Sequence, residues 1–449
     1  MASARVRGTG MRPMRRRVAA DCASVMGAAR LRLRALVGAI LAAVARVAHD
    51  VRGCRVRPWR VALIATVAGV AISSAATAEM DHGRPVTVAR GLDNPRGLVF
   101  LPTGSLAVAE AGHAGEVCLG PGFCVGLTGQ VVAVKLHHER QTVLAAGLPS
   151  AGGPFAVFGL GGLAVQHEKL FAIVGLNPQT FGNPADYCPD SACLATVTAV
   201  QNGSGFLNKL RSLRLNRGFD GFASVGSFDF DYAAANPDPG NPEYAPGDAN
   251  PFGLTAGPRG GFYVVDAASN TLDYVTRHGE ISVLAFIPDP PNHLPIYDAA
   301  PTCAARTPNG DVYVGTESNS LWRWDGTLLT QVLSGGKVGQ VVGCTADDEG
   351  NIYLANLASK IGGSFPNFDE KPFDGSIVKV TPDLETSYLA QGLNYPTGIT
   401  LGPDDQLYVT VNGLCPSDLS MLTPENSTPG GCPASGEVVR LHEHNAEHW

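Results

Sequence analysis

Long apolar runs are nearly absent from this chain of 449 residues. The best candidate, "VALIATVAGVAI" at 61–72, is about 12 residues and too short to span a bilayer comfortably. No later run approaches spanning length, so a soluble mature chain is expected. Lysine is missing from the first 78 residues, which carry 14 Arg and only two acids, Asp21 and Asp50. Also missing are a Gly-x-Ser-x-Gly elbow, a P-loop and a His-Glu-x-x-His pair. Those absences remove the usual signs of a hydrolase elbow, a phosphate cradle and a zinc-peptidase helix. The tail "HNAEH" (444–448) fits a His-x-x-Glu-His pattern. It stands at the last residues, where no fold would surround it.

The first 78 residues read as processing signals rather than fold. Arg55, Arg57 and Arg60 form a basic region ahead of the apolar run, and Ala76-Thr77-Ala78 before Glu79 fits a small-residue cleavage site. A signal peptide over 55–78 is therefore expected, followed by one domain over 79–449. Residues 1–54 are an extension outside the fold. They arise either from a start placed too early, with initiation near Val51 or Val56, or from a basic extension or transit peptide. Removing the 14 basic and 2 acidic residues from the chain totals of 33 and 40 leaves 19 and 38, a formal net near −19. Such a surface repels phosphate backbones, so nucleic acid is not an expected partner.

Eight cysteines remain after that segment: Cys118, Cys124, Cys188, Cys193, Cys303, Cys344, Cys415 and Cys432. An even count behind a secretion signal points to disulfides in an exported protein. Zinc is the alternative, because Cys188 and Cys193 fall near ligand spacing. No second close pair with matching spacing and no Cys/His set completes such a site.

What is abundant is a repeated sentence. "NPRGLVFLPTGSLAVAE" (94–110), "GLGGLAVQHEKLFAIVG" (159–175), "NPFGLTAGPRGGFYVVD" (250–266), "APTCAARTPNGDVYVGT" (300–316), "QVVGCTADDEGNIYLAN" (340–356) and "YPTGITLGPDDQLYVTV" (395–411) align on Gly97, Gly162, Gly253, Cys303, Gly343 and Gly398. Each is a strand of small residues, a tight turn, and a strand of β-branched and aromatic residues. We call these strands a and b; small residues in strand a suit a crowded axis. Two more strands, c and d, usually follow, such as "NTLDYVTR" (270–277) and "EISVLAFI" (280–287). In the second unit they are less regular, "FLNKLRSLRL" (206–215) and a strand near "FASVGSF" (222–228). Four antiparallel strands in roughly 40–50 residues make a propeller blade. The predicted fold is all-β, a six-bladed propeller. The sixth unit has strands a and b and then "GEVVRLHE" (436–443), but no fourth strand. "PVTVARGL" (85–92) resembles that strand and is expected to close the ring, removing two open sheet edges.

The long connections follow strands b and d, at 111–128, 177–205, 357–374 and 412–435 and at 149–160, 229–250 and 288–300. In a four-strand blade these emerge on one face, where binding residues usually sit. Cys118 with Cys124, Cys188 with Cys193, and Cys415 with Cys432 each share one such loop. Cys303 and Cys344 begin the inner strands of adjacent blades and can tie them together. Polar residues cluster at the same end: Glu110, Asn177, Asp266, Glu317, Asn356 and Asn412 beside strand b, and Arg96, Asn250 and Asn394 beside strand a. Converging at the channel mouth, they suit a small polar ligand, and the mouth also suits a Ca2+ ion. No residue is assigned as a metal ligand and no cofactor is predicted. Asp and Asn at these places also cap turns, and Asp266 with Asn270 resembles a structural turn pair. The loop 229–250 adds Asp229, Asp231, Asp238, Glu243 and Asp248 without the spacing of a calcium loop.

The opening "GLDNPRGLVFLPTGSLAVAE", the Ala-Asn-Pro at 235–237, "NPFGLT" (250–255), "YVVDAASN" (263–270) and "YPTGITLGPDDQLYV" (395–409) resemble the ScyD/ScyE family, named for proteins encoded with the scytonemin pigment pathway and related to six-bladed NHL-type propellers. The resemblance runs from about 86 to 442 and implies an exported propeller without a settled reaction. The expected function is a non-enzymatic binding module, monomeric, in the cell envelope or outside the cell, for a small polar molecule or an extracytoplasmic protein. Two enzymes are the alternatives. One is a metal-dependent lactonase or esterase similar to gluconolactonases and strictosidine-synthase-like proteins. Those lactonases hold metal with a Glu beside the first inner strand, where this chain has Asn94-Pro95-Arg96. The other is a quinone-dependent sugar dehydrogenase, whose opening repeat is similar to 91–110 but whose His and Arg cluster finds no match.

Overall fold

Six antiparallel sheets, each built on four strands and the first widened by two short ones, stand around a channel in the computed structural model, which describes residues 85–120, 123–136, 140–152, 157–211, 218–237, 247–290, 298–359, 363–364, 367–368, 373–414 and 436–441. All lie within the unit Gly83–Trp449. The innermost strands are Pro95–Phe100, Leu160–Gln166, Pro251–Ala256, Pro301–Arg306, Val341–Ala346 and Gly398–Leu401. Each touches the next, and the sixth touches the first. The protein is a six-bladed β-propeller.

The predicted closure is present. Val86–Leu92 pairs antiparallel with Gly436–Leu441, so the sixth sheet takes its outer strand from the other end of the chain. An outer strand needs only one partner, and the 85–92 pattern supplies it at Val88, Ala89 and Leu92, which are buried.

Packing follows the ring. Six apolar clusters each join two adjacent blades. Leu101, Ala107 and Val131 meet Leu163, Leu170 and Leu210 between blades 1 and 2. The closing pair of blades is joined by Val88, Leu92, Tyr408 and Val438 against Leu98, Val108 and Val132. The core is thus six seams rather than one centre. Small residues at the axis have a steric cause. A Cβ on Gly162 would lie 2.7 Å from the Leu254 amide nitrogen, and one on Gly398 would lie 2.4 Å from the Arg96 carbonyl oxygen. Both obstacles are backbone, which cannot swing aside.

Three cysteine pairs are disulfides: Cys118–Cys124, Cys188–Cys193 and Cys303–Cys344. The last joins the inner strands of blades 4 and 5, with Cα atoms 5.6 Å apart. Cys415 and Cys432 lie outside the described residues, as do 1–84 and the tail motif 444–448.

The structure differs from the expectation in three places. Strands c and d of blade 1 run on for 13 residues each, Phe123–Lys135 and Arg140–Gly152. The loop after strand b of blade 2 holds a helix, α1 (Ser191–Gly203), capped by Asp190, whose side chain accepts from the Cys193 amide. Val197 and Val200 of that helix pack on Val125 and Ala151 of the extended strands, which gives those strands a reason to continue. Finally, the outer strand of blade 2 ends at Ser224, and α2 (Val225–Ala235) begins at once. The alanine-rich "DFDYAAA" favours helix over strand once the sheet no longer pairs it. Among the described residues no helix is long and apolar enough to cross a membrane.

Candidate functional site

One main-chain hydrogen bond recurs in all six blades and builds the loop-bearing face. The residue after strand b donates its amide to a carbonyl just before strand a. The pairs are Ala111 to Asn94 (3.0 Å), Gly175 to Gly159 (2.7 Å), Ala267 to Asn250 (3.0 Å), Glu317 to Ala300 (3.0 Å), Leu357 to Gln340 (2.7 Å) and Asn412 to Asn394 (2.7 Å). Seven of the nine predicted mouth residues sit on or within one residue of this ring of bonds; Arg96 and Asn177 stand slightly farther along the chain.

Three of them do the same local work. Glu110, Asp266 and Asn356 end strand b in blades 1, 3 and 5, and all are buried. Each side chain accepts an amide from the segment entering its own strand a: Asp93 onto Glu110 at 2.8 Å, Asn250 onto Asp266 at 2.8 Å, and Gly339 onto Asn356 at 3.2 Å. Asp266 Oδ1 also accepts from the Ala268 and Ser269 amides, each at 2.9 Å, which is a closed turn. The Asn356 amide group donates to the Lys337 carbonyl and the Ser376 hydroxyl. Asn177 donates to the Ala249 carbonyl (3.0 Å) and Asp248 (3.3 Å), and accepts from the Thr180 amide. Asn250 Oδ1 accepts from the Leu176 amide, and Asn394 donates to Asn412 Oδ1 at 2.8 Å. These contacts fasten the long connections to the blades.

Glu110 is set apart by charge. Burial, reinforced by the nearby Asp93 carboxylate, pushes its carboxyl up to about 7, although the Asp93 amide and Gln130 side chain both bond it. Asp93 in turn contacts His113 Nδ1.

Arg96 and Glu317 are the two predicted residues whose charges reach each other. They belong to blades 1 and 4, which stand opposite each other in the ring. Arg96 is buried, with its guanidinium oriented by three carbonyl oxygens: Gly413, Val157 at 3.0 Å and Pro95 at 3.3 Å. Those bonds use three of the five N–H groups of an arginine. Burial pulls its pKa down to about 10 and Glu317 acts to raise it, so Arg96 is cationic at neutral pH. Glu317 is half-buried and accepts from Gln340 Nε2 at 3.2 Å.

Beyond Arg96 along the axis lies a cavity of about 280 Å³ lined by all six inner strands. Its wall includes Gly97, Gly162, Gly253, Gly343, Gly398 and the Cys303–Cys344 bridge. Neither Arg96 nor Glu317 lines it; they stand at its loop-bearing end.

Sequence reasoning missed Asp93, His113 and Asp273. The last is a fully buried acid in strand c of blade 3, and the available signal was an aspartate within the apolar "TLDYV". Of the acids on the 229–250 loop, Asp231 is exposed and Asp248 bonds Asn177, while Asp238 and Glu243 lie outside the described residues. Among the described residues no three His, Cys, Asp or Glu side chains are grouped to hold a metal ion.

No protein-family model matches the chain, and no curated protein matches it. Solved structures do. A gluconolactonase from Xanthomonas campestris is similar at 10% identity and a TM-score of 0.46, over 82% of this chain and 93% of that one. A calcium-binding protein, regucalcin, from Agrobacterium tumefaciens is similar at 14% identity and a TM-score of 0.45, over 79% and 93%. A virginiamycin B lyase from Staphylococcus aureus, solved with quinupristin, is similar at 12% identity and a TM-score of 0.40, over 80% and 98%. At such identities these likenesses assign this chain no reaction.

Proposed function

We propose that the protein is an exported binding propeller of the ScyD/ScyE type, which holds a small polar molecule at the loop-bearing end of its channel. Arg96 and Glu317 are its charged contacts. One observation carries the reading: the buried Arg96 guanidinium, held by three carbonyls, stands at the loop-bearing end of a cavity of about 280 Å³, with the Glu317 carboxylate of the opposed blade near enough to favour its charge. The arrangement suits a molecule with an anionic or carbonyl group toward Arg96 and a donor or cation toward Glu317. Amino acids, amino sugars and hydroxy acids have that character. Arg96 is oriented before any ligand arrives, which lowers the ordering cost of binding. The remaining mouth residues hold the loops in place around the pair. The three disulfides agree with an oxidising compartment.

The test is calorimetry of the purified protein against a panel of such molecules, beside Glu317→Gln. Binding that weakens about tenfold or more in the variant, at unchanged melting temperature, supports the reading. Binding indifferent to Glu317→Gln moves the site elsewhere.

A hydrolase is the second reading, favoured by Glu110. A buried carboxyl raised to about 7, beside Asp93 and His113, has the proton affinity general acid–base work needs. Turnover of lactones or esters that is lost in Glu110→Gln would establish it.

A further inference from the structure

Asp229, Asp266 and Asp273 meet beside blade 3, and each is 0% exposed. Asp229 comes from α2, Asp266 from the end of strand b and Asp273 from strand c. Read as three carboxylates, the group makes no sense. Both oxygens of Asp229, Oδ2 of Asp266 and Oδ1 of Asp273 are sealed from solvent and receive no hydrogen bond. The other two oxygens are satisfied, Asp266 Oδ1 by three amides and Asp273 Oδ2 by the Thr271 hydroxyl at 2.9 Å. An ionised carboxylate only accepts, so the contacts of Asp229 with its two neighbours set acceptor against acceptor. Burying such charges without partners is costly.

Among the described residues no base relieves them. α2 itself adds only Asp231, which is exposed, and the segment 247–250 adds Asp248. The elements in most contact with α2 are Pro178–Phe181, which has no charge, and Phe206–Leu210, which has Lys209, while blade 3 faces it with Asp266 and Asp273 themselves. Lys209 is half-buried and does not figure among the groups acting most strongly on Asp229, which are Asp273 and Asp266. A proton on Asp229 turns one clash into a donor–acceptor bond.

We propose that Asp229 is held as a neutral carboxylic acid hydrogen-bonded to Asp266 or Asp273, and that this shared-proton trio is a pH-sensitive latch fastening α2 to blade 3. It stands whether or not Arg96 and Glu317 hold a ligand. Burial, then the charges of Asp273 and Asp266, push the Asp229 carboxyl well above its ordinary value of 3.8. The folded chain therefore keeps a proton that the open chain releases. The latch is closed in acid and loosens as pH climbs through the raised value, by linkage. When it opens, α2 comes free from blade 3. A similar clamp secures the next connection, where Asn270 donates to both Asp289 and Asp298, and burial with the Asp289 charge raises Asp298 well above its ordinary value.

Hydrogen exchange of residues 225–237 in the whole protein, corrected for intrinsic rates, tests the latch. Protection is expected to fall about tenfold or more between about pH 5 and about pH 9 in the native protein, and to stay level in Asp229→Asn. Protection in the native protein that ignores pH, or an Asn variant that keeps the native pH profile, overturns the proposal. So does protection restored at high pH by Ca2+, which would make the trio a cation site. Should the variant not fold, infrared spectra of the native protein decide. The carbonyl band of a buried protonated acid supports the latch, and its absence below pH 6 contradicts it.

Discussion

Thr87 in the first strand donates its hydroxyl to Glu437 in the last, at 3.0 Å and 350 residues away in sequence. Arg90 approaches the same carboxylate at 3.5 Å. Both contacts are partly exposed and weak; their value is in fixing which edge meets which. The strength of the join is apolar. Val88, Ala89 and Leu92 are buried against Leu98, Leu106 and Val438. Deleting 86–92 uncovers that seam and bares the edge of Gly436–Leu441. The expected outcome is loss of cooperative thermal unfolding and a rise in soluble aggregate, read by calorimetry and light scattering.

Crowding at the axis gives a finer prediction. Gly398→Ala places a methyl 2.4 Å from the Arg96 carbonyl oxygen, so the inner strands of blades 6 and 1 must part. The cost should be about 1–3 kcal/mol in chemical denaturation. Gly104→Ala has open space around it, and its penalty should come only from its φ of +78°, about 1–2 kcal/mol.

The Cys303–Cys344 bridge spans 41 residues and joins two blades at the channel wall. Cys303→Ala with Cys344→Ala should lower stability by about 3–4 kcal/mol if chain entropy governs. The Cys118–Cys124 bridge closes a separation of only 6 and its removal should cost less. Denaturant midpoints of the two double variants give the order.

Glu110 makes stability depend on pH. Its carboxyl rises from about 4.5 in the open chain to about 7 in the fold, so the native state binds the extra proton. Stability is full below about pH 4.5 and declines as pH rises toward and past about 7, by on the order of 3 kcal/mol. Glu110→Gln keeps an oxygen to accept the Asp93 amide and removes this decline. Denaturation at both ends of that range, in both proteins, measures the difference.

Much of this was readable from residues because propellers repeat. Six anchors, short a–b turns and a missing sixth outer strand were enough for the ring, its closure and the face of the long loops. The bridge from Cys303 to Cys344 followed from equivalent positions in neighbouring units. Helix α1 was not recognised, although Asp190 ahead of an Ala-rich run is a capping signal. The long strands of blade 1 were out of reach, since their extension depends on packing against that helix. The candidate site was legible only as a list. Sequence could not separate Glu110, Asp266 and Asn356, which clamp backbone amides, from Arg96 and Glu317, the proposed ligand contacts. That distinction depends on side-chain direction at equivalent positions, which repeats do not encode. Asp273 escaped notice because an acid inside a strand acquires meaning only when α2 brings Asp229 to it.

The central claim is that a ligand lies between Arg96 and Glu317. A crystal structure of the protein with the tightest binder from the calorimetric panel tests it most directly. The account predicts ligand density at the loop-bearing end of the channel, with a polar group against the Arg96 guanidinium and a donor against Glu317. Density at the opposite mouth, among Arg306, Ala346 and Thr400, or on the surface of α1, would contradict it.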